Sequence, residues 1–243
     1  MAYPKRLWRE LLIVVGVYFL YDRINNISTP EDRSVALNNG RDILRLEEFL
    51  RLDIERSANE WLVGNRFLGT ILANFYNLAH IWVMVVIVVF VWLRRRPMYA
   101  DLRNALVLFN LLGFVVFWLY PVAPPRMFDG FTDVIEQTGA ISSFHSGALA
   151  PAANQFAAMP SLHMAWAIWC VVAIYRTLSS RGWRLAGWAH VILTIIAVVA
   201  TANHFVLDLV GGAITSVAGF AIAALFARSV RPAIERRRAA LAR

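Results

Sequence analysis

The sequence predicts an all-α polytopic membrane protein with six transmembrane helices and one amphipathic surface helix. Three observations predict it. The chain carries six runs of mostly apolar residues, and a bilayer crossing takes about 20 of them. Charged residues make up 16% of the 243 positions and hydrophobic ones 59%, with a mean hydropathy of +0.54; a soluble domain carries about a quarter charged residues. The arginines also gather in alternate connections between the runs.

Each element follows from this reading. Residues 8–22 form a first span after Lys5, Arg6 and Arg9. No small-x-small cleavage site follows at Tyr21-Asp22-Arg23-Ile24-Asn25, so the span is expected to be retained and not removed as a signal peptide. Residues 23–64 are polar. Within them Ile43, Leu44, Leu46, Phe49, Leu50, Leu52 and Ile54 interleave with charged residues, the pattern of an amphipathic helix over about 41–62. It is expected on the membrane surface, capping the bundle, or packed on its own loop. The second span, 67–93, ends at Arg94-Arg95-Arg96-Pro97, and the third, 105–120, at Tyr120-Pro121. A loop of 121–160 holds Pro121, Pro124, Pro125, Pro151 and Pro160. Spans over 161–178, 185–201 and 205–227 follow, then a basic tail, 228–243. No repeat divides the chain, so one membrane domain over 1–243 is expected, with 65–227 completing its core.

Six spans put both termini on one side. Sixteen Lys and Arg fall at the termini and in the turns 94–103 and 176–184, and eight on the other side, where acids outnumber bases over 22–64. Basic short turns stay cytoplasmic, so both termini are expected there. His163, His204, Asp208 and the 121–160 loop then share the extracytoplasmic face. The net charge of +8 is thereby read as topology, and no basic stripe with exposed aromatics suggests nucleic acid. The one cysteine, Cys170, allows no internal disulfide. Oligomeric state is not legible.

Ionisable groups at the edges of apolar runs are functional candidates, because hydrocarbon penalises charge. Met159-Pro160-Ser161-Leu162-His163 opens one run, and Asn203-His204-Phe205-Val206-Leu207-Asp208 another. His204 and Asp208 are four apart and share a helix face. A carboxylate on one ring nitrogen fixes the tautomer and raises the basicity of the other nitrogen, which can then act as nucleophile or base. The bland alternative is a polar pair that joins helices. His163 follows Pro160-Ser161 at a helix start, where amides attract anions and Ser161 can cap the helix or donate to a phosphate oxygen. Arg126, in Tyr120-Pro121-Val122-Ala123-Pro124-Pro125-Arg126-Met127, suits bidentate phosphate binding or snorkels to headgroups. Tyr76, Asn77 and His80 can line a headgroup cavity or bond between helices. His145, Asp129 and Asp133 are weaker candidates, and His190 is expected to make an interhelical hydrogen bond.

The two histidine motifs in this order, about forty residues apart and preceded by Pro121-Val122-Ala123-Pro124-Pro125-Arg126, resemble the type 2 phosphatidic acid phosphatase superfamily. More narrowly, they resemble the branch containing inositol phosphorylceramide synthase. The resemblance covers roughly residues 65–227. It implies a six-helix membrane fold and phosphoester cleavage without metal or cofactor. It implies that His204 attacks phosphorus to give a phosphohistidine, that Asp208 orients it, and that His163 protonates the leaving oxygen. Water or an alcohol acceptor then takes the phosphate.

The chain departs from the phosphatase members at three points. Their Lys-x6-Arg-Pro motif has no counterpart, since Arg95, Arg96 and Pro97 fall on the cytoplasmic side of the charge count. Leu162 stands where they carry glycine, and Val198 where they carry arginine. Arg126, with amides near Ser161, is the expected substitute, and the departures favour the phosphotransferase branch.

The resulting expectation is a membrane enzyme acting on a lipid-linked phosphate substrate among membrane lipids, as phosphatase or phosphotransferase. The rivals are a zinc-dependent hydrolase built on His163, His204 and Asp208, and a non-catalytic lipid carrier or scaffold.

Overall fold

The apolar runs form helices because, in lipid, each backbone amide must find its partner within its own segment. The computed structural model describes residues 4–28, 33–140 and 154–230. It contains α1 (Pro4–Ser28), α2 (Arg33–Leu50), α3 (Glu55–Val63), α4 (Arg66–Asn74), α5 (His80–Arg94) and α6 (Arg96–Leu119). These are followed by α7 (Val134–Thr138), α8 (Leu162–Thr177), α9 (Arg181–Ala200) and α10 (Val206–Leu225). Among the described residues no strand forms; one isolated parallel bridge joins Val122 to Ala157. His145 and the tail beyond Val230 lie outside the described residues.

α10 runs along α6 and also packs on α8, which in turn meets α5 and α9. Apolar burial is a weak drive for association in lipid, so such contacts depend on close approach at small residues. Gly219 of α10 faces the Phe109 and Ala105 backbone of α6, where a Cβ would crowd Phe109 N at 2.9 Å. Gly212 is tighter still, since a Cβ there would run into the Ser161 carbonyl. Phe109, Phe114, Phe117, Leu162 and Trp169 fill the centre, and the Trp169 indole donates to the Leu102 carbonyl at 2.8 Å. α1 lies against α6, tied by Glu10 to Arg103 at 2.6 Å and to the Tyr99 hydroxyl at 2.9 Å.

Among the described residues, three helices are long and apolar enough to cross a membrane: Pro97–Leu119, Arg181–Ala200 and Val206–Ser229. The pair Arg66–Leu78 and Ile81–Arg94 makes a fourth if its 42° bend lies within one span. α8, with 16 residues, is roughly 24 Å long against a hydrocarbon core of about 30 Å. α1 is long enough, but Arg9, Glu10, Asp22 and Arg23 interrupt its apolar stretch. The second run is not one straight helix: a π-helical turn over Phe75–Ala79 separates α4 from α5. The third extends nine residues earlier than its apolar composition suggests, with Pro97 in the first turn of α6.

The amphipathic segment also departs from its expected form. It is two helices, α2 and α3, broken at Arg51. Leu52 N donates to the Glu47 carbonyl at 2.8 Å and Arg51 N to the Glu48 carbonyl at 3.1 Å, with Arg51 at φ +58. That is a Schellman stop with a non-glycine residue in the left-handed position. The faces of α2 are also inverted. Ala36, Gly40, Ile43 and Glu47 are buried, whereas Leu46 and Leu50 point outward and Phe49 is 82% exposed.

Candidate active site

The two histidine motifs meet where α8 and α10 begin. Ser161 caps α8, accepting from Met164 N at 3.4 Å, and its own amide donates to the Asp208 carbonyl at 2.9 Å. Gly212 permits this approach. α9 ends in a second Schellman motif: Ala202 N donates to the Val199 carbonyl and Asn203 N to the Val198 carbonyl, with Ala202 at φ +56. The turn delivers Asn203 and His204 directly ahead of α10. Ser161 is wholly buried in this joint and does not line the cavity.

His163 Nδ1 lies 3.1 Å from His204 Nε2. His204 Nδ1 lies 2.9 Å from the Ala158 carbonyl oxygen and 3.3 Å from Asp208 Oδ2. A carbonyl oxygen only accepts, so His204 Nδ1 carries a proton. In neutral His204 the lone pair therefore sits on Nε2, and His163 Nδ1–H donates to it. Asp208 is fully buried and also accepts from Phe205 N at 2.9 Å. His163 is held by rings: Tyr76 stacks on it at a centroid distance of 4.6 Å and 26°, and Trp166 stands edge-on at 5.7 Å. The Trp166 indole in turn donates to Asn110 Oδ1 at 3.2 Å.

Arg126 reaches the same place from the 121–140 loop. Its amide donates to the Ala202 carbonyl at 2.9 Å. Nη1 donates to Asn203 Oδ1 at 2.8 Å, Nη2 to Gln155 Oε1 at 2.9 Å, and Nε pairs with Asp133 Oδ2 at 3.3 Å. Of five guanidinium N–H groups, these bonds use three and leave one on each terminal nitrogen to donate to an oxyanion. Burial draws the guanidinium below its ordinary value, while Tyr76 and Asp133 draw it back up. Asp133 also caps α7 through Oδ1, accepting from Ile135 N and Glu136 N, so the position of Arg126 is fixed by the start of a helix.

A cavity of about 490 Å³ opens from these groups. His163, His204, Arg126, Asn203, Gln155 and Asn154 are among its polar lining, and Tyr76, Asn77 and Asn110 line it too. Its remaining wall is largely apolar, with Val14 and Val17 of α1, Ile81 of α5 and Phe114 and Phe117 of α6. The side chain of His80 lies outside the described residues. His190 presents its ring edge to Phe75 at 5.8 Å in place of the expected hydrogen bond. The Asp129 carbonyl accepts from Arg56 at 3.3 Å, away from the histidines.

The three departures from the phosphatase pattern have structural counterparts. Arg95 Nε donates to the Thr177 carbonyl at 3.1 Å, at the opposite end of α8 from His163. The Leu162 side chain packs onto Gly113 of α6. Val198 is buried, and its carbonyl accepts the Asn203 and His204 amides. His163 and Asp208 flank His204 on opposite ring nitrogens, and among the described residues no three His, Cys, Asp or Glu side chains are grouped to hold a metal.

Sequence reasoning missed several contributors. Asn203 stands directly beside the nucleophile candidate in its motif, and that adjacency is a signal that could have found it. Gln155, Trp166, the Ala158 carbonyl and the α1 wall leave no local signal.

A family model described as the PAP2 superfamily matches residues 41–222. The chain is 25% identical over 174 residues to the phosphoinositol dihydroceramide synthase of Bacteroides thetaiotaomicron. That match covers 64% of this chain and 54% of the relative, so the chain spans about half the relative's length. No solved structure matches it.

Proposed function

The chain belongs to the PAP2 superfamily, and from that premise we propose that it is an integral membrane enzyme that cleaves a lipid-linked phosphoester through a phosphohistidine on His204. The observation that carries this reading is the facing pair of His163 Nδ1 and His204 Nε2, 3.1 Å apart beside Arg126 at the polar end of an apolar cavity. In the reaction the two rings part and the phosphate enters between them. His204 Nε2 attacks phosphorus as the ester oxygen leaves on the opposite side. His163 supplies the proton that this oxygen takes up. Asp208 and the Ala158 carbonyl hold the Nδ1 proton of His204 throughout, and Arg126 grips the non-bridging oxygens. Water or an alcohol then attacks the phosphohistidine from the side that the leaving group vacated, with His163 as base. No metal ion takes part. Tyr76 and Asn77 border the headgroup, and the Ser161 joint carries the start of α8.

In this reading α1, the bent α4–α5 pair, α6, α8, α9 and α10 are six spans of a single membrane domain. Both termini are cytoplasmic. α2, α3 and the 121–160 loop cover the extracytoplasmic end, and the lipid tail lies along the α1–α6 wall.

One observation favours transfer from a phosphodiester over hydrolysis of a monoester. The only permanent cation at the polar end, among the described residues, is Arg126, and Asp133 pairs with it. A monoanionic diester brings one negative charge into that balanced field and a dianionic monoester two, so the monoester carries the larger cost, by about 1–3 kcal/mol. Purified protein in detergent, offered radiolabelled lipid phosphodiesters and monophosphates with and without alcohol acceptors, should turn over diesters at least about tenfold faster. The label should appear on the acceptor, with activity retained in chelator and lost to vanadate. A preference for monoesters with release of free phosphate would establish a phosphatase instead.

A further inference from the structure

The buried acids of α2 and α3 have no place in the phosphoester chemistry itself. Glu47 and Glu55 are both wholly buried, although each lies in a helix read from its sequence as having a charged outer face. Both reach under the start of α10, more than 150 positions away in the chain. Glu55 Oε1 accepts from Val206 N at 2.7 Å, and Glu47 Oε1 accepts from Leu207 N at 2.6 Å. With Phe205 N on Asp208, three successive amides at this helix start end on carboxyl oxygens. A helix N-terminus has such amides to spare and favours negative charge.

Three carboxylates buried around one helix start cannot all be ionised, because like charges and desolvation both oppose it. Glu47 carries the burden. Its carboxyl is pushed up to about 9 by burial first and then by its hydrogen bond to Glu55. The Leu207 amide opposes the shift, and the charges of Glu55 and Asp208 add to it. Each glutamate keeps a second oxygen, Oε2, buried without a hydrogen-bond partner, and a proton between the two carboxyls would supply one.

We propose that Glu47 and Glu55 are positioning residues, a carboxylic acid–carboxylate pair sharing one proton that locks the N-terminus of α10 and thereby aims His204 and Asp208 at the cavity. This gives α2 and α3 a role in catalysis: they brace the nucleophile's helix from behind. It rests on the reading of His204 as nucleophile. The groups that face Glu47 are Glu55 from α3 and Asp208 from α10. With its carboxyl pushed up to about 9, Glu47 keeps its proton through neutral pH, and losing it at higher pH adds a negative charge to the brace.

The test pairs hydrogen–deuterium exchange of the peptide spanning the start of α10 with kcat and KM across the alkaline range, for wild type, Glu47→Ala and Glu47→Gln. Activity is read as turnover of a lipid phosphodiester. Glu47→Ala should lose protection at Val206 and Leu207 and lower kcat by about 10²-fold, the scale of a small misplacement of a reacting group, with KM much less affected. Glu47→Gln, a neutral mimic of the acid, should restore protection and most of kcat, and should lose the alkaline fall of kcat that wild type shows near 9. Wild-type exchange in Glu47→Ala, or an alkaline fall retained in Glu47→Gln, would overturn the proposal. Should Glu47→Ala not fold, the Glu47→Gln profile decides. The exchange data need no turnover, so an inactive wild type would count against the functional reading while exchange still judges the brace.

Discussion

Replacing His204 with alanine is expected to lower phosphoester turnover by at least about 10⁴-fold, because removal of a nucleophile leaves only binding and electrostatics. The ring is aimed from both sides: Nδ1 is held by the Ala158 carbonyl and Asp208, and Nε2 faces the space that His163 closes. A rapid-quench experiment with labelled lipid should trap an acid-labile phosphoenzyme in wild type and none in the variant. Turnover unchanged in His204→Ala would remove His204 as the nucleophile, and no turnover in either protein would move the chain to the non-catalytic lipid carrier reading. Asp208→Asn should be milder, at about 10²-fold to 10³-fold. The Ala158 carbonyl, at 2.9 Å, keeps the Nδ1 tautomer after the charge is gone, whereas a triad whose tautomer depends on its carboxylate loses about 10⁴-fold.

His163→Ala is the second large effect, and its size should depend on the leaving group. General acid catalysis contributes about 10²-fold to 10⁴-fold. With an alkoxide leaving group the variant should lose about 10³-fold. With a nitrophenyl ester, whose phenolate departs without a proton, most of that loss should vanish. Comparing kcat for a lipid diester and its nitrophenyl analogue in wild type and variant reads this directly. An equal loss on both esters would show that His163 positions the phosphate and does not protonate the leaving oxygen. The aromatic clamp of Tyr76 and Trp166 bears on the same point. Tyr76 stacks on the His163 ring and Trp166 meets it edge-on, while His163 Nδ1 faces His204.

Much of the site is legible in the amino-acid sequence. Ionisable residues opening an apolar run stand out because hydrocarbon penalises them, and this singles out His163, His204 and Asp208, which meet in the fold at hydrogen-bond distances. Arg126 stands out as a lone arginine in a proline-rich loop, but its balance by Asp133 does not. The bend at Phe75–Ala79 falls where Asn74, Asn77 and His80 interrupt the second apolar run, a mark that shows polar residues but not the change of direction. The wall formed by α1 is equally hidden, since nothing in residues 8–22 says which neighbour they face.

Composition and period determined that this chain is helical and membrane-embedded, and the spacing of His204 and Asp208 determined that they share a face, because these are properties of a short segment in its solvent. Which side of α2 turns inward was decided only by the tertiary structure. An inward Glu47 is stable once the buried acid has an amide to bond, and that amide belongs to Leu207, 160 residues away. A local pattern carries no information about a partner at that separation, so the brace behind the nucleophile appears only when α2, α3 and α10 are brought together.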